Sequence, residues 1–206
     1  AKAILCDATG KLLAQTGQEY PTAYPRPGWA EQDPEDWWAA TGQVIVTVLD
    51  ASGCSPADIA AICVSSQAPS LVPVDREGNP VGPALIWMDR RSEAQCEWLR
   101  TAIGDDVIAA RNGGRSDPYY FAPKLLWLRE AAPDRYAHTH LALQANGFIV
   151  QRLCGAMVMD SSHGPLSLCY DAERQDWSAE LTAAMGIDRR ILPPVAPCAQ
   201  IVGAVH

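Results

Sequence analysis

Apolar and polar positions alternate along this chain at two periods, and the changes of period delimit its elements. Residues 2–7 and 11–19 read as two strands separated by Asp7-Ala8-Thr9-Gly10. Gly10 can adopt the left-handed conformation that closes a short hairpin loop, so an antiparallel pair is expected there. The same punctuation, Asp75-Arg76-Glu77-Gly78, separates a strand-like stretch at 71–74 from another at 80–87. Between the two hairpins, Pro25-Arg26-Pro27-Gly28-Trp29 predicts a stiff loop, because each proline fixes its own φ and restrains the residue before it.

Asp33-Pro34 then opens a helix, with Asp33 as N-cap and Pro34 at the first helical position, where no amide donor is missed. Trp37, Thr41, Val44, Ile45, Val48 and Leu49 follow at helical spacing and form one apolar face, and Ser52-Gly53 marks the end. Residues 59–65 are mostly apolar, the pattern of a strand covered on both faces. Further helices are predicted at 90–103, 123–131, 146–154 and 178–185, and short strands at 140–143 and 157–159. Strands alternating with helices after a hairpin-rich start predict an α/β fold with a mixed sheet flanked by helices. No repeat, low-complexity tract or linker divides the 206 residues, so one domain is expected.

Composition narrows the function classes. The apolar share of 48% and charged share of 19% are those of a folded globular protein. A formal net charge of -8, with no basic run longer than Arg90-Arg91 or Arg189-Arg190, argues against a nucleic-acid partner. Seven cysteines lie scattered without a C-x-x-C pair, several among apolar neighbours, as in Ala61-Ile62-Cys63-Val64. Reduced thiols and a cytoplasmic location fit that pattern, and no zinc site is expected. Neither a secretory signal nor a membrane-length apolar run is present, so no membrane association is expected. The chain opens inside a strand-like stretch at Ala1, which suggests that further sequence precedes it.

The common phosphate-loop, dinucleotide, zinc-protease and serine-hydrolase signatures are missing. What remains are polar and aromatic residues at strand ends and in loops, where ligands meet α/β sheets. Ser65-Ser66-Gln67-Ala68-Pro69-Ser70 offers amides and hydroxyls, or is an ordinary strand exit. Trp87-Met88-Asp89-Arg90-Arg91 places a ring able to stack on a sugar beside an aspartate, or a core Trp beside a helix N-cap. Asp117-Pro118-Tyr119-Tyr120 supplies a carboxylate and two phenols, or a turn with packed rings. A capping Asp and a surface His account for Asp160-Ser161-Ser162-His163.

Taken in order, these segments resemble the FGGY family of carbohydrate kinases, which includes glycerol, xylulose, gluconate and related sugar kinases. Residues 24–34, YPRPGWAEQDP, look like the Y-P-x-P-G-W-x-E-x-D-P stretch of glycerol kinases. ALIWMDRR at 84–91 is similar to the family's A-I-x-W-x-D-x-R segment, and Asp117-Pro118-Tyr119 to its substrate-side D-P-Y. Ala122-Pro123-Lys124-Leu125-Leu126-Trp127 is similar to the A-P-K-L-L-W of xylulose kinases. The resemblance spans 1–206 and implies the N-terminal, sugar-binding domain of a two-domain, actin-like (ribonuclease H-like) ATPase fold. Its opening strand and D-x-G-T turn would precede Ala1, and its catalytic aspartate and nucleotide-binding domain would follow His206.

The implied activity is transfer of phosphate from ATP, with Mg, to a hydroxyl of a ketopentose such as xylulose, or of a related polyol or sugar acid. ATP and Mg would be held mainly outside this chain, and a homodimer is one assembly open to it. Carried over position by position, Gln67, Ala68 and Pro69 fall where the family contacts substrate hydroxyls, and Trp87 and Tyr119 where glycerol kinases place aromatic rings. Asp89 comes with the W-x-D-x-R segment as a substrate-side candidate, while the expected later aspartate removes Asp89, Asp117 and Asp160 as bases. The chain departs from the family at one point: Gln67-Ala68-Pro69-Ser70 stands where xylulose kinases read Q-M-H-G and glycerol kinases Q-R-E. Ala68 and Pro69 bring no side-chain donors, so a larger substrate, or one held mainly by backbone, is expected, which counts against xylulose. A non-catalytic protein of the same fold and a stand-alone sugar-binding module stay open as alternatives.

Overall fold

The computed structural model describes residues 1–205. A hairpin of β1 (Lys2–Cys6) and β2 (Leu12–Gly17) opens the chain. Its loop closes as the sequence predicts: the Asp7 carboxylate accepts from the amides of Thr9 and Lys11, and Gly10 sits at φ 85°. The second Asp-x-x-Gly loop repeats the device, with Asp75 accepting from the amides of Glu77 and Asn79 and Gly78 at φ 84°.

After the two-residue strand β3 (Glu31–Gln32), α1 runs from Pro34 to Ser52. Asp33 caps it by accepting from the amide of Glu35 at 2.9 Å, and Gly53 ends it in the left-handed region. Trp37, Ala40, Val44 and Val48 are its buried face, set against the hairpin and a later helix.

The strands that follow are short: β4 (Val72–Val74), β5 (Ala84–Leu85), β6 (Leu141–Leu143), β7 (Met159–Asp160), β8 (Tyr170–Asp171), β9 (Asp176–Trp177) and β10 (Val195–Ala196). In place of one broad sheet they form two-stranded pairs, antiparallel except for β7 with β10. A single bridge at Leu71–Leu85 joins the β3–β5 and β4–β6 pairs and another sets Ala23 beside Glu31 of β3, so the order 23, β3, β5, β4, β6 runs as one narrow surface.

Helices α2 (Glu93–Ala102), α4 (Phe121–Ala131), α6 (Ala145–Cys154) and α7 (Ala179–Ala184) stand close to their predicted places. Helices α3 (Asp105–Asn112) and α5 (Pro133–His138) have no counterpart in the pattern. In α3 only Ile108 and Asn112 are buried and in α5 nothing is, so neither carries an apolar stripe. One core cluster gathers around α2, α4 and α7, and another around α1, β4, β5 and α6.

One expectation is overturned. Residues 59–65, read as a strand covered on both faces, form no strand, and Ile62 is 45% exposed. Among the described residues their backbone finds no strand to pair with. The segment instead lines one side of an apolar groove of about 550 Å³, with β1 and the face of α1 on the others. Apolar composition alone does not make a strand, since the ladder needs a second backbone.

Helix α6 approaches the 157–160 segment closely at Gly147, where an added Cβ would lie 2.6 Å from the Val158 carbonyl oxygen. Gly to Ala inside a helix ordinarily stabilises by about 0.5–1 kcal/mol. Gly147→Ala is expected to reverse that sign and cost about 1–3 kcal/mol through the backbone clash. Urea unfolding would show it as a lower midpoint with an unchanged slope.

Candidate functional site

Three segments carry the candidate residues, and short-range polar contacts hold them. The first, 66–70, is seated on the start of α6: Ser66 Oγ accepts from the Asn146 amide at 3.1 Å and Ser70 Oγ from the Ala145 amide at 2.8 Å. Two of the helix's unpaired first-turn donors are thereby satisfied. Gln67 Nε2 donates to Gln32 Oε1 at 2.6 Å. That same oxygen accepts from the Trp37 indole at 3.0 Å, while Gln32 Nε2 donates to Thr22 Oγ1 at 2.7 Å. Gln67 is thus tethered to β3 and α1 through a buried glutamine that the sequence reading passed over; nothing in its spacing distinguishes Gln32.

The second segment, 86–91, leaves β5. Leu71 and Leu85 exchange backbone hydrogen bonds of 2.9 and 3.0 Å, which join the end of the 66–70 segment to β5 just before this one. Ile86 is fully buried, whereas Trp87 is 44% exposed, in the turn after β5 that the Asp89 amide closes on the Ile86 carbonyl at 3.0 Å.

Asp89 goes the other way. It is fully buried, and its oxygens accept from the Ala30 amide at 2.7 Å and from the amide, Nε and Nη2 of Arg91. It is closed off from solvent and does not cap α2, which begins at Glu93 behind Ser92. Arg91 extends the arrangement: it pairs with Glu31 at 2.8 Å and lies 3.7 Å over the Trp29 ring and 4.8 Å from that of Trp127. Expected as a substrate-side group, Asp89 is instead the counter-ion of a buried guanidinium.

The third segment, 117–120, precedes α4. Tyr119 Oη donates to the Ala68 carbonyl at 2.9 Å, so two of the predicted groups touch directly. Burial, helped by neighbouring Tyr120, pushes the Tyr119 phenol upward and keeps it a donor. Asp117 accepts from Arg90 at 2.7 Å and from the Tyr119 amide at 2.8 Å, which links the second segment to the third. Burial would raise the Asp117 carboxyl, but the Tyr119 amide and the guanidinium outweigh it and hold it low.

Beneath this loop lies a group the sequence reading recorded only as part of a motif. Lys124 is fully buried, and its ammonium donates to the carbonyls of Pro118 at 2.5 Å and Tyr119 at 2.6 Å. Desolvation lowers it to about 7 against the pull of Asp89. Burial pushes the nearby Cys96 thiol up to about 12, so that thiol supplies no counter-charge. A lone Lys in the run FAPKLLWL, apolar on every side of a helix, was the signal for it.

Behind the first segment, Asp160 accepts from His163 Nδ1 at 2.6 Å and is also hydrogen-bonded by Asn146 and Ser162. Burial acts to raise its carboxyl, yet His163 and Ser162 hold it well below the usual carboxylate range. His163 is buried, not on the surface as its neighbours suggested. Among the described residues no group of three or more His, Cys, Asp or Glu is placed to hold a metal, and the wall's carboxylates are committed to guanidinium groups. The residues present do not form a magnesium site. None of the described helices is long and apolar enough to cross a membrane.

What the arrangement offers chemically is an exposed indole, a phenol, a carboxamide and backbone carbonyls on linked segments, suited to a neutral hydroxylated molecule. Asp89→Asn should leave Arg91 short of a buried partner and destabilise by about 3–5 kcal/mol, measured by denaturant unfolding. Lys124 gives a pH signature. Between about 7 and its free value of 10.5 the unfolded chain holds a proton that the folded chain has released. Stability should therefore rise with pH across that window, and Lys124→Met should remove this part of the slope.

Comparison with known proteins places the chain. It is 35% identical over 213 residues to the glycerol kinase of Roseobacter denitrificans, covering 100% of this chain and 43% of that protein. To the glycerol kinase of Thermococcus gammatolerans it is 32% identical, over 98% of this chain and 42% of the relative. The crystal structure of xylulose kinase from Rhodospirillum rubrum superposes on all of it with a TM-score of 0.92 at 25% identity, over 42% of that chain. The chain thus spans about two fifths of the length of these relatives. Residues 1–206 match the N-terminal domain of the FGGY family of carbohydrate kinases, and the chain belongs to that family.

Proposed function

We propose that this chain is the substrate-binding half of an ATP-dependent kinase that phosphorylates a hydroxyl of a small polyhydroxylated compound: a ketopentose such as xylulose, or a related polyol or sugar acid. The observation that carries the reading is the joining of the three substrate-side segments, through Tyr119 to the Ala68 carbonyl and Arg90 to Asp117, in a chain of this family. Trp87 would lie against the C–H face of the substrate, and Gln67 and Tyr119 would meet its hydroxyls, with backbone groups at Ala68 and Pro69 standing where side-chain donors are lacking. Asp89 is not among the groups that would touch it.

In this reading the nucleotide, its magnesium and the base that accepts the hydroxyl proton are supplied by residues outside these 206. When bound, ATP supplies the phosphoryl group, and such transfer rests on positioning and charge neutralisation. The part played here is to orient the acceptor hydroxyl and discriminate among substrates.

The full-length protein, assayed for ATP consumption against a panel of pentuloses, polyols and aldonates, should turn over at least one member. Gln67→Ala and Tyr119→Phe should each raise the sugar KM by about 10-fold, the scale of one lost hydrogen bond in a site, with the melting temperature nearly unchanged. A full-length protein that consumes no ATP with any member of the panel would sink the reading in favour of a non-catalytic binder.

A further inference from the structure

Lys124 presents a physical puzzle. An ammonium removed from water costs several kcal/mol unless strong partners replace the solvent, and buried lysines usually meet a carboxylate. This one spends its charge on two peptide carbonyls, those of Pro118 and Tyr119, at 2.5 and 2.6 Å. An apolar residue would fill the place in α4 at lower cost if packing were the only requirement.

The loop it grips is also held within itself, by the Asp117 carboxylate on the Tyr119 amide at 2.8 Å, and two weaker contacts tie it to other segments. The Arg90–Asp117 pair is close to half exposed on each side, where ion pairs contribute about 0–1 kcal/mol. The Tyr119–Ala68 hydrogen bond joins neutral groups. Charge-assisted bonds are roughly twice as strong as neutral ones, and burial shields these from competing water.

We propose that Lys124 is the positioning residue of the substrate wall: by holding the two carbonyls that flank the Tyr119 backbone, it keeps the Tyr119 hydroxyl on the Ala68 carbonyl and so sets the surface the sugar meets. The assignment rests on the reading of the site given above, and Lys124 itself touches no substrate. The titratable and charged groups around it are Asp89, Asp117, Cys96 and Arg90. Its neutral amine keeps two N–H donors and sheds the desolvation cost of the charge, so opening that hydrates Lys124 becomes less favourable as pH rises through about 7.

The test compares full-length wild type, Lys124→Met, Tyr119→Phe and the double variant for sugar KM, ATP KM and kcat. Lys124→Met should raise the sugar KM about 10-fold while ATP KM and kcat move less than about 2-fold, and it should add less than about 2-fold in the Tyr119→Phe background. Fully additive effects, or equal changes in both KM values, would overturn the assignment. Amide-exchange protection of residues 117–121 in the wild type reads the clamp without substrate or mutation. It should rise relative to that of α2 between about pH 6 and about pH 8, because opening that hydrates Lys124 takes up a proton, and a constant ratio would refute the clamp even if Lys124→Met does not fold. Absence of turnover with every sugar defeats the kinase reading alone, since the exchange measurement still decides the clamp.

Discussion

The buried Arg91 guanidinium is the constraint on which the rest of this domain is arranged. It lies against the edge-to-face pair of Trp29 and Trp127 and is neutralised by Asp89 and Glu31, so it joins the proline-rich loop, the strand exit after β5 and helix α4 at one point. Its planar fork can meet carboxylates with its edge while a face lies over the Trp29 indole, which a lysine there could not do. The Asp89 carboxylate also accepts the Ala30 amide, so the ion pair fixes backbone as well as side chains. Such an arrangement contributes less to net stability than to selecting one packing, because any displaced partner leaves an uncompensated charge.

The candidate site follows from that arrangement. With Asp89 and Arg91 turned inward, the adjacent residues of the same turn, Trp87 and Arg90, are turned outward. Arg90 then reaches Asp117, whose carboxylate in turn orders the Tyr119 amide. On the opposite side the serines at 66 and 70 tie the Gln67 segment to the first amides of α6. The wall is therefore assembled from loops, each held by a rigid element behind it.

Its composition bears on selectivity. Gln67 and Tyr119 already have partners within the protein, Gln32 and the Ala68 carbonyl, and Ala68 and Pro69 add no side-chain donors. In the proposed function such a wall would favour shape and aromatic contact over a dense set of side-chain hydrogen bonds, and Gln67-Ala68-Pro69-Ser70 is where this chain parts from the Q-M-H-G and Q-R-E patterns. The indole of Trp87 is the one large apolar surface offered beside these polar groups.

What the sequence determined by itself are the features decided within a few residues of chain. The Asp7–Gly10 and Asp75–Gly78 loops, the Asp33 cap and Gly53 stop of α1, and the apolar stripe of that helix are local matters of φ and short-range hydrogen bonds. The W-x-D-x-R and D-P-Y likenesses also singled out Trp87, Asp89 and Tyr119 as candidates. Tertiary structure alone decided the rest, because it depends on partners distant in sequence. Residues 59–65 have strand composition but no ladder, Asp89 has the position of a cap but the environment of a counter-ion, and Gln32 and Lys124 acquire their roles from segments that reach them only in the folded chain. Burial of a polar group becomes tolerable only when the fold brings it a partner, and no window of sequence contains that information.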